Sequence, residues 1–340
     1  NKYFMIDLRS DTVTKPSKFM KQYMMDAALG DDVFQDDPTV QKLENKTAKL
    51  FGKEAGLFCP SGTMTNQIAL MVYLRPGDEV ICSSEAHIYN YEGGGIARNS
   101  SASVRLINRK SGIIYLDEII DNINPDDIHY PVSKLVALEN TCNRGGGNCY
   151  PLEEIEKISK YCQSHKMPMH LDGARLFNAL VETKTSSIIM GSFFDSLSIC
   201  FSKGLGAPVG SVLIGTKDFI HKARRVRKVL GGGMRQAGML AAAGIYALEN
   251  NIDRLSVDHS NAQLIAKALE KCTWIEKVMN VETNIIIGYV KDEFSNADFT
   301  NKLAENNILI IPFGKGKIRM VTHLDINESD VDKVITSLKF

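Results

Sequence analysis

The sequence predicts an α/β fold: a large unit with a mainly parallel central sheet over residues 1–245, then a smaller α+β unit over 246–340. Three observations carry that prediction. Helix-like and strand-like patterns alternate from about residue 40 to about 245. The strand-like runs are apolar throughout rather than alternating, as strands covered by helices on both faces must be. Beyond Ala241–Asn250 the alternation gives way to amphipathic helices around isolated strands.

The elements follow in order. Thr39–Phe51 places Val40, Leu43, Thr47 and Leu50 on one helical face. Ala55–Cys59 is a short apolar strand, and the turn Ser61-Gly62-Thr63 then opens a helix running through Asn66–Met71. Further strands are expected at Glu79–Cys82, Val104–Ile107, Leu135–Leu138, Met169–Leu171, Ser196–Phe201 and Ser211–Ile214. Leu152–Ser164 is the clearest helix between them, with Leu152, Ile155, Ile158 and Cys162 on one side and Lys and Glu on the other. In the C-terminal unit, helices Asn261–Lys271 and Ala297–Asn306 flank the strand Asn284–Val290. The strand Lys317–His323 and a helix near Ser329–Leu338 close the chain.

Composition narrows the function. Forty Lys+Arg balance forty Asp+Glu, so the basic surplus of a dedicated nucleic-acid binder is missing. Hydrophobic residues at 44% and charged residues at 24% are ordinary for a globular protein. No apolar run approaches the ~20 residues of a membrane-spanning helix, and Asn1–Asp7 lacks the apolar core of a secretory signal. The seven cysteines are scattered without a C-x-x-C pair, so neither zinc nor a thiol redox couple is expected, and no metal site is. Reduced thiols and a cytoplasmic location are the expectation.

Three features at strand ends can carry chemistry. Asp172 closes the run His170-Leu171-Asp172 and precedes Gly173 and Ala174, small residues that let a flat ligand approach; an N-cap for the next helix is its plainer role. Lys203 ends the apolar run Ser198–Phe201 and is followed by Gly204 and Gly206. A lysine so placed can be desolvated and can attack a carbonyl. Ser61-Gly62-Thr63 lies between strand and helix, where backbone N–H groups cradle a phosphate, although a simply capped helix reads the same way. Phosphate site, acid and amine on successive strand ends are together what pyridoxal 5′-phosphate (PLP) requires. A dinucleotide-binding reading lacks its G-x-G-x-x-G turn; Gly93-Gly94-Gly95 follows a helix-like stretch instead.

On these and further segments the chain resembles, nearly end to end, the low-specificity L-threonine aldolases, PLP enzymes of the aspartate aminotransferase fold (fold type I). The matching segments are Asp7–Thr14, Gly30–Val33 with Asp37–Val40, Ser61–Met64, Glu85–His87, Glu139–Thr141, His170–Arg175, Ser202–Gly210, Gly231–Gln236 and Arg319–Asp325. The resemblance implies that Lys203 holds the cofactor aldehyde as an imine, that Asp172 partners the pyridinium nitrogen, and that Gly62 and Thr63 bind the phosphate. It further implies that His87 stacks on the cofactor ring and that Ser10, Arg175 and Arg319 bind the substrate carboxylate. Lys228 and Arg235, flanking Gly231–Gly233, would reach a site partly across a subunit boundary.

Two positions depart from the family pattern. Cys142 stands where a histidine near the substrate hydroxyl is usual, and Phe34 where a tyrosine is usual; both bear on the choice between threonine diastereomers. With Cys142 there, His87 or a water is the candidate base for the β-hydroxyl. The implied reaction cleaves a β-hydroxy-α-amino acid to glycine and an aldehyde, on a homotetramer with sites at dimer interfaces. The alternatives are β-elimination or racemisation on the same scaffold, or a catalytically silent binding protein.

Overall fold

A computed structural model describes residues 5–340. The chain opens with a two-residue strand, β1 (Ile6–Asp7). A seven-stranded sheet follows, made of β2 (Ala55–Cys59), β3 (Asp78–Ser83), β4 (Ser103–Ile107), β5 (Val132–Glu139), β6 (Met169–Gly173), β7 (Ser196–Cys200) and β8 (Ser211–Gly215). Their spatial order is β2-β8-β7-β6-β5-β3-β4. Every residue of β6 and β7 is buried, which accounts for their unbroken apolar and small-residue character.

The pairs β4–β3, β3–β5, β5–β6 and β6–β7 are parallel. The expected strand at Ser211 runs the other way, as β8 is antiparallel to both β7 and β2. Ten residues separate β7 from β8, too few for the helical crossover that a parallel return needs. Local caps set the helix starts. Asp37 accepts from the backbone N–H of Thr39 and Val40 to begin Pro38–Leu50, and Ser61 Oγ accepts from Met64 N–H at 3.2 Å to begin Gly62–Tyr73.

The second core lies under the sheet β12-β13-β10-β9, whose strands β9 (Ile275–Val278), β10 (Ile285–Val290), β12 (Ile311–Pro312) and β13 (Lys317–Val321) are all antiparallel. Between them, β11 (Ile308–Leu309) pairs in parallel with β1, Ile6 opposite Ile308. Ile6 and Leu8 therefore pack with Ile265, Phe299 and Ile318 rather than with the large sheet. A two-residue strand carries no periodic signal, so this return of the chain's start to its C-terminal core is invisible to pattern reading. Residue 245 falls within the unbroken helix Gly238–Asn250, and we propose that the two units divide instead at 251–254, before the helix Leu255–Leu269. No helix of the described residues is long and apolar enough to cross a membrane.

Candidate active site

The carboxyl ends of β5, β6 and β7 converge, as the parallel sheet requires of a ligand site. Glu139, the last residue of β5, lies opposite Asp172 on β6, and Asp172 opposite Ser198 on β7. Above them opens a cavity of about 530 Å³ lined by Ser10, Gly62, Thr63, Asn66, His87, Glu139, Asp172, Arg175, Lys203 and Arg319, with Tyr91, Asn143 and Phe313 on its walls. Lys203 and Asp172 thus line one cavity.

Asp172 is 3% exposed. Its Oδ1 accepts from Ala174 N–H at 3.1 Å and its Oδ2 from Asn66 Nδ2 at 2.8 Å, which fixes the carboxylate plane. Asn66 Oδ1 faces His170 Nε2 at 3.0 Å, and His170 Nδ1 faces Ser196 Oγ at 2.8 Å. Burial pushes the His170 imidazole down to about 4, so it is neutral and its Nε2–H must donate to Asn66. A chain of side chains from β7 to the helix Gly62–Tyr73 therefore holds Asp172 from behind.

His87 begins the short helix His87–Asn90. Its backbone N–H donates to Glu139 Oε2 at 2.7 Å, and its Nδ1 lies 3.0 Å from Glu92 Oε1. Burial opposes charge on this imidazole, but the Glu92 hydrogen bond and the charges of Asp172, Glu92 and Glu139 outweigh it and raise the pKa. Glu139 also accepts Asn143 N–H at 2.9 Å. Burial, reinforced by Asp172, pushes its carboxyl up to about 7.

The two cavity arginines differ in how they are held. Arg175 gives Nε and Nη2 to Asp11 at 2.8 and 2.7 Å, a fully buried bidentate pair that Asn284 completes through a 3.1 Å bond to the same carboxylate. Burial pushes the Asp11 carboxyl up, yet Arg175 prevails and holds it far below the ordinary range. The pair occupies the Nε/Nη2 side of the guanidinium and anchors it, leaving the Nη1/Nη2 edge of Arg175 as the side with free N–H groups. Arg319 donates Nη1 to Asn143 Oδ1 at 2.9 Å and Nη2 to the Arg9 carbonyl at 3.2 Å, while its buried Nε has no partner. Burial and the neighbouring Arg175 bring its pKa down to about 10. Both features suit a guanidinium poised for an incoming anion.

Three expected residues lie elsewhere. Cys142 is fully buried and packs its thiol against Gly112, where an added Cβ would collide with it; the cavity wall at this point is the next residue, Asn143. Lys228 lines a separate cavity of about 550 Å³ beside Arg224, Arg225 and Arg227. Arg235 pairs with Asp31 at 3.1 Å on the surface, its guanidinium 5.9 Å from the Phe34 ring. Phe34 is 75% exposed, and none of these groups lines the cavity of its own chain. Sequence reading passed over Asn66, Tyr91, Glu92 and Asn143. Only Asn66 carries a local signal, one helical turn beyond Gly62 and hence on the same helix face.

PLP fits the residues present. Gly62 and Thr63 present N–H groups at the start of a twelve-residue helix. An added Cβ on Gly62 would strike Cys200 Sγ, so that position admits only glycine against the sheet. The side chain of Lys203 makes no hydrogen bond or ion pair among the described residues, and it lines the same cavity as Asp172, with its charge felt by Asp11. This fold and this site define a PLP-dependent enzyme of fold type I.

The comparisons with known proteins agree and go further. The model of the beta-eliminating lyase family matches residues 7–293. The low specificity L-threonine aldolase of Escherichia coli is 43% identical over 331 residues, 97% of each chain, and the probable low-specificity L-threonine aldolase 2 of Arabidopsis thaliana is 41% identical over 97% of this chain and 95% of its own. The threonine aldolase structure from Leishmania major superposes with a TM-score of 0.84 at 22% identity, covering 98% of both chains. The chain belongs to the beta-eliminating lyase family, among its low-specificity L-threonine aldolases.

Proposed function

We propose that this protein cleaves L-threonine and L-allo-threonine to glycine and acetaldehyde, at the cavity above Asp172 and Lys203. The single observation that carries the reading is the joint placement of those two residues with the Gly62–Thr63 helix start in one cavity. When bound, PLP supplies an electron sink for the carbanion left by bond cleavage. The chain's own residues do the rest. Asp172, fixed by Asn66 and Ala174, offers a negative charge at the cavity floor. Lys203 offers an amine at its wall. Ser10 and Arg319 meet the substrate carboxylate, with the free edge of Arg175 beside them, and so orient the bond to be broken. The expected base for the β-hydroxyl is His87 Nε2, the ring nitrogen left for the cavity once Nδ1 is engaged by Glu92.

The reading extends to a homotetramer in the cytoplasm. Phe19, Met25, Leu29, Phe34 and Val229 are between 47% and 80% exposed, and a second copy seated there would cover them and carry Lys228 and Arg235 toward a neighbouring site. Aldehyde release from both threonine diastereomers with added PLP tests the reading, with ammonia and pyruvate from L-serine as the mark of β-elimination. Lys203→Ala is expected to lose both aldehyde release and the visible absorbance of bound PLP. Ammonia without aldehyde from the unaltered protein would assign it a different reaction.

A further inference from the structure

Behind the cavity one carboxylate takes no direct part in these steps. Glu92 lies between the short helix His87–Asn90 and the segment Gly95–Ser100, and its side chain has no solvent exposure. Asn66 Nδ2 donates to its Oε1 at 2.9 Å and Gln67 Nε2 to its Oε2 at 2.7 Å. The orientation of each amide is fixed independently. Gln67 Oε1 accepts from Asn99 Nδ2 at 3.0 Å, and Asn66 Nδ2 is also bound to the Asp172 carboxylate at 2.8 Å, which can only accept. Both amides therefore turn their NH₂ ends to Glu92. The third group at the carboxylate is His87 Nδ1. A carboxylate only accepts, so Nδ1 must carry the proton and Nε2 is the nitrogen that remains for the cavity.

We propose that Glu92 is a positioning residue for His87: it selects the imidazole's protonated nitrogen, turns Nε2 to the cavity, and strengthens the ring's hold on its second proton. A buried carboxylate fixing the far nitrogen of an imidazole is a general way to set both its direction and its basicity. Other charges also face the ring. Asp172 and Glu139 lie on the sheet side, Lys203 lines the same cavity, and Tyr91 stands 5.5 Å away, bonded through its hydroxyl to Arg144. Of these, Glu92 alone contacts the ring nitrogen. The consequence for catalysis rests on the aldolase reading: Glu92 sets the pH below which His87 cannot accept the β-hydroxyl proton.

The test reads His87 itself. Deuterium exchange at the imidazole C2 carbon, followed peptide by peptide by mass spectrometry across pH on the full chain, gives its titration midpoint. The unaltered protein is expected to titrate above the ordinary ~6.5 of histidine, and Glu92→Gln to fall by about one pH unit or more. Glu92→Asp, which keeps the charge on a shorter arm, is expected between the two. A midpoint at or below ~6.5 in the unaltered protein, or one unmoved in Glu92→Gln, overturns the proposal. If Glu92→Gln does not fold, the unaltered protein and Glu92→Asp still decide. Threonine cleavage on the same preparation is scored separately. Cleavage without the shift defeats only the role of Glu92, and the shift without cleavage defeats only the aldolase reading.

Discussion

Replacing Asp11 with alanine is expected to destabilise the protein far more than its position near the chain's start suggests. Asp11 has no exposure and accepts four side-chain hydrogen bonds, two from Arg175, one from Asn284 and a longer one from Ser10 at 3.4 Å. Its removal strands a guanidinium that is itself only 7% exposed. Breaking one side of a buried pair costs about 3–5 kcal/mol, mostly the penalty of the charge left behind. Removing both charges avoids that penalty, so Asp11→Ala with Arg175→Met is expected to recover much of the loss. Urea unfolding of the two variants beside the unaltered protein measures it. An Asp11→Ala protein no less stable than the double variant would refute the reasoning. The pH dependence has a definite sign. Arg175 holds the Asp11 carboxyl below its unfolded value, so the pair's contribution is present above the ordinary carboxylate range near ~4 and fades only as pH falls through the folded value.

Cys142→Ala is expected to leave the ratio of cleavage rates for the two threonine diastereomers unchanged, because its thiol faces Gly112; a changed ratio in competing-substrate assays would return the thiol to the site. Asn143→Ala removes the 2.9 Å bond that steadies Arg319, a charged hydrogen bond worth about 1.5–3 kcal/mol. The Michaelis constant for threonine should therefore rise about tenfold or more, and an unchanged value in steady-state kinetics would show that Arg319 needs no such support. Glu139, raised to about 7 from the ordinary 4.5, binds its proton more tightly in the folded state, so its contribution to stability declines as pH climbs between those values and is level above them. Glu139→Gln should flatten the thermal midpoint over that window relative to the unaltered protein, and parallel pH curves for the two would count against burial as the cause.

Local pattern and local chemistry were enough to place the strand ends, and with them Gly62, Thr63, Asp172 and Lys203. Periodicity reports which residues are buried together, and a carboxylate or amine at the end of an apolar run stands out against it. The departures at Cys142 and Phe34 were legible as departures, but their consequence was not. A sequence gives a residue's place along the chain and leaves open which way its side chain points at an irregular turn. Cys142 turns to Gly112 and yields the cavity to Asn143.

Tertiary structure alone decided the long-range partners. Arg175 meets Asp11 across 164 residues, and Asp172 meets Asn66 across 106; β1 finds β11 near the far end of the chain. Glu92 is read from sequence as one more charged residue before a glycine run, and only the packing of two helices shows it buried against His87. The alternation of elements is a property of short windows, set by side-chain period and backbone propensity. Which carboxylate ends beside which imidazole depends on how the finished layers close, and no short window contains that information.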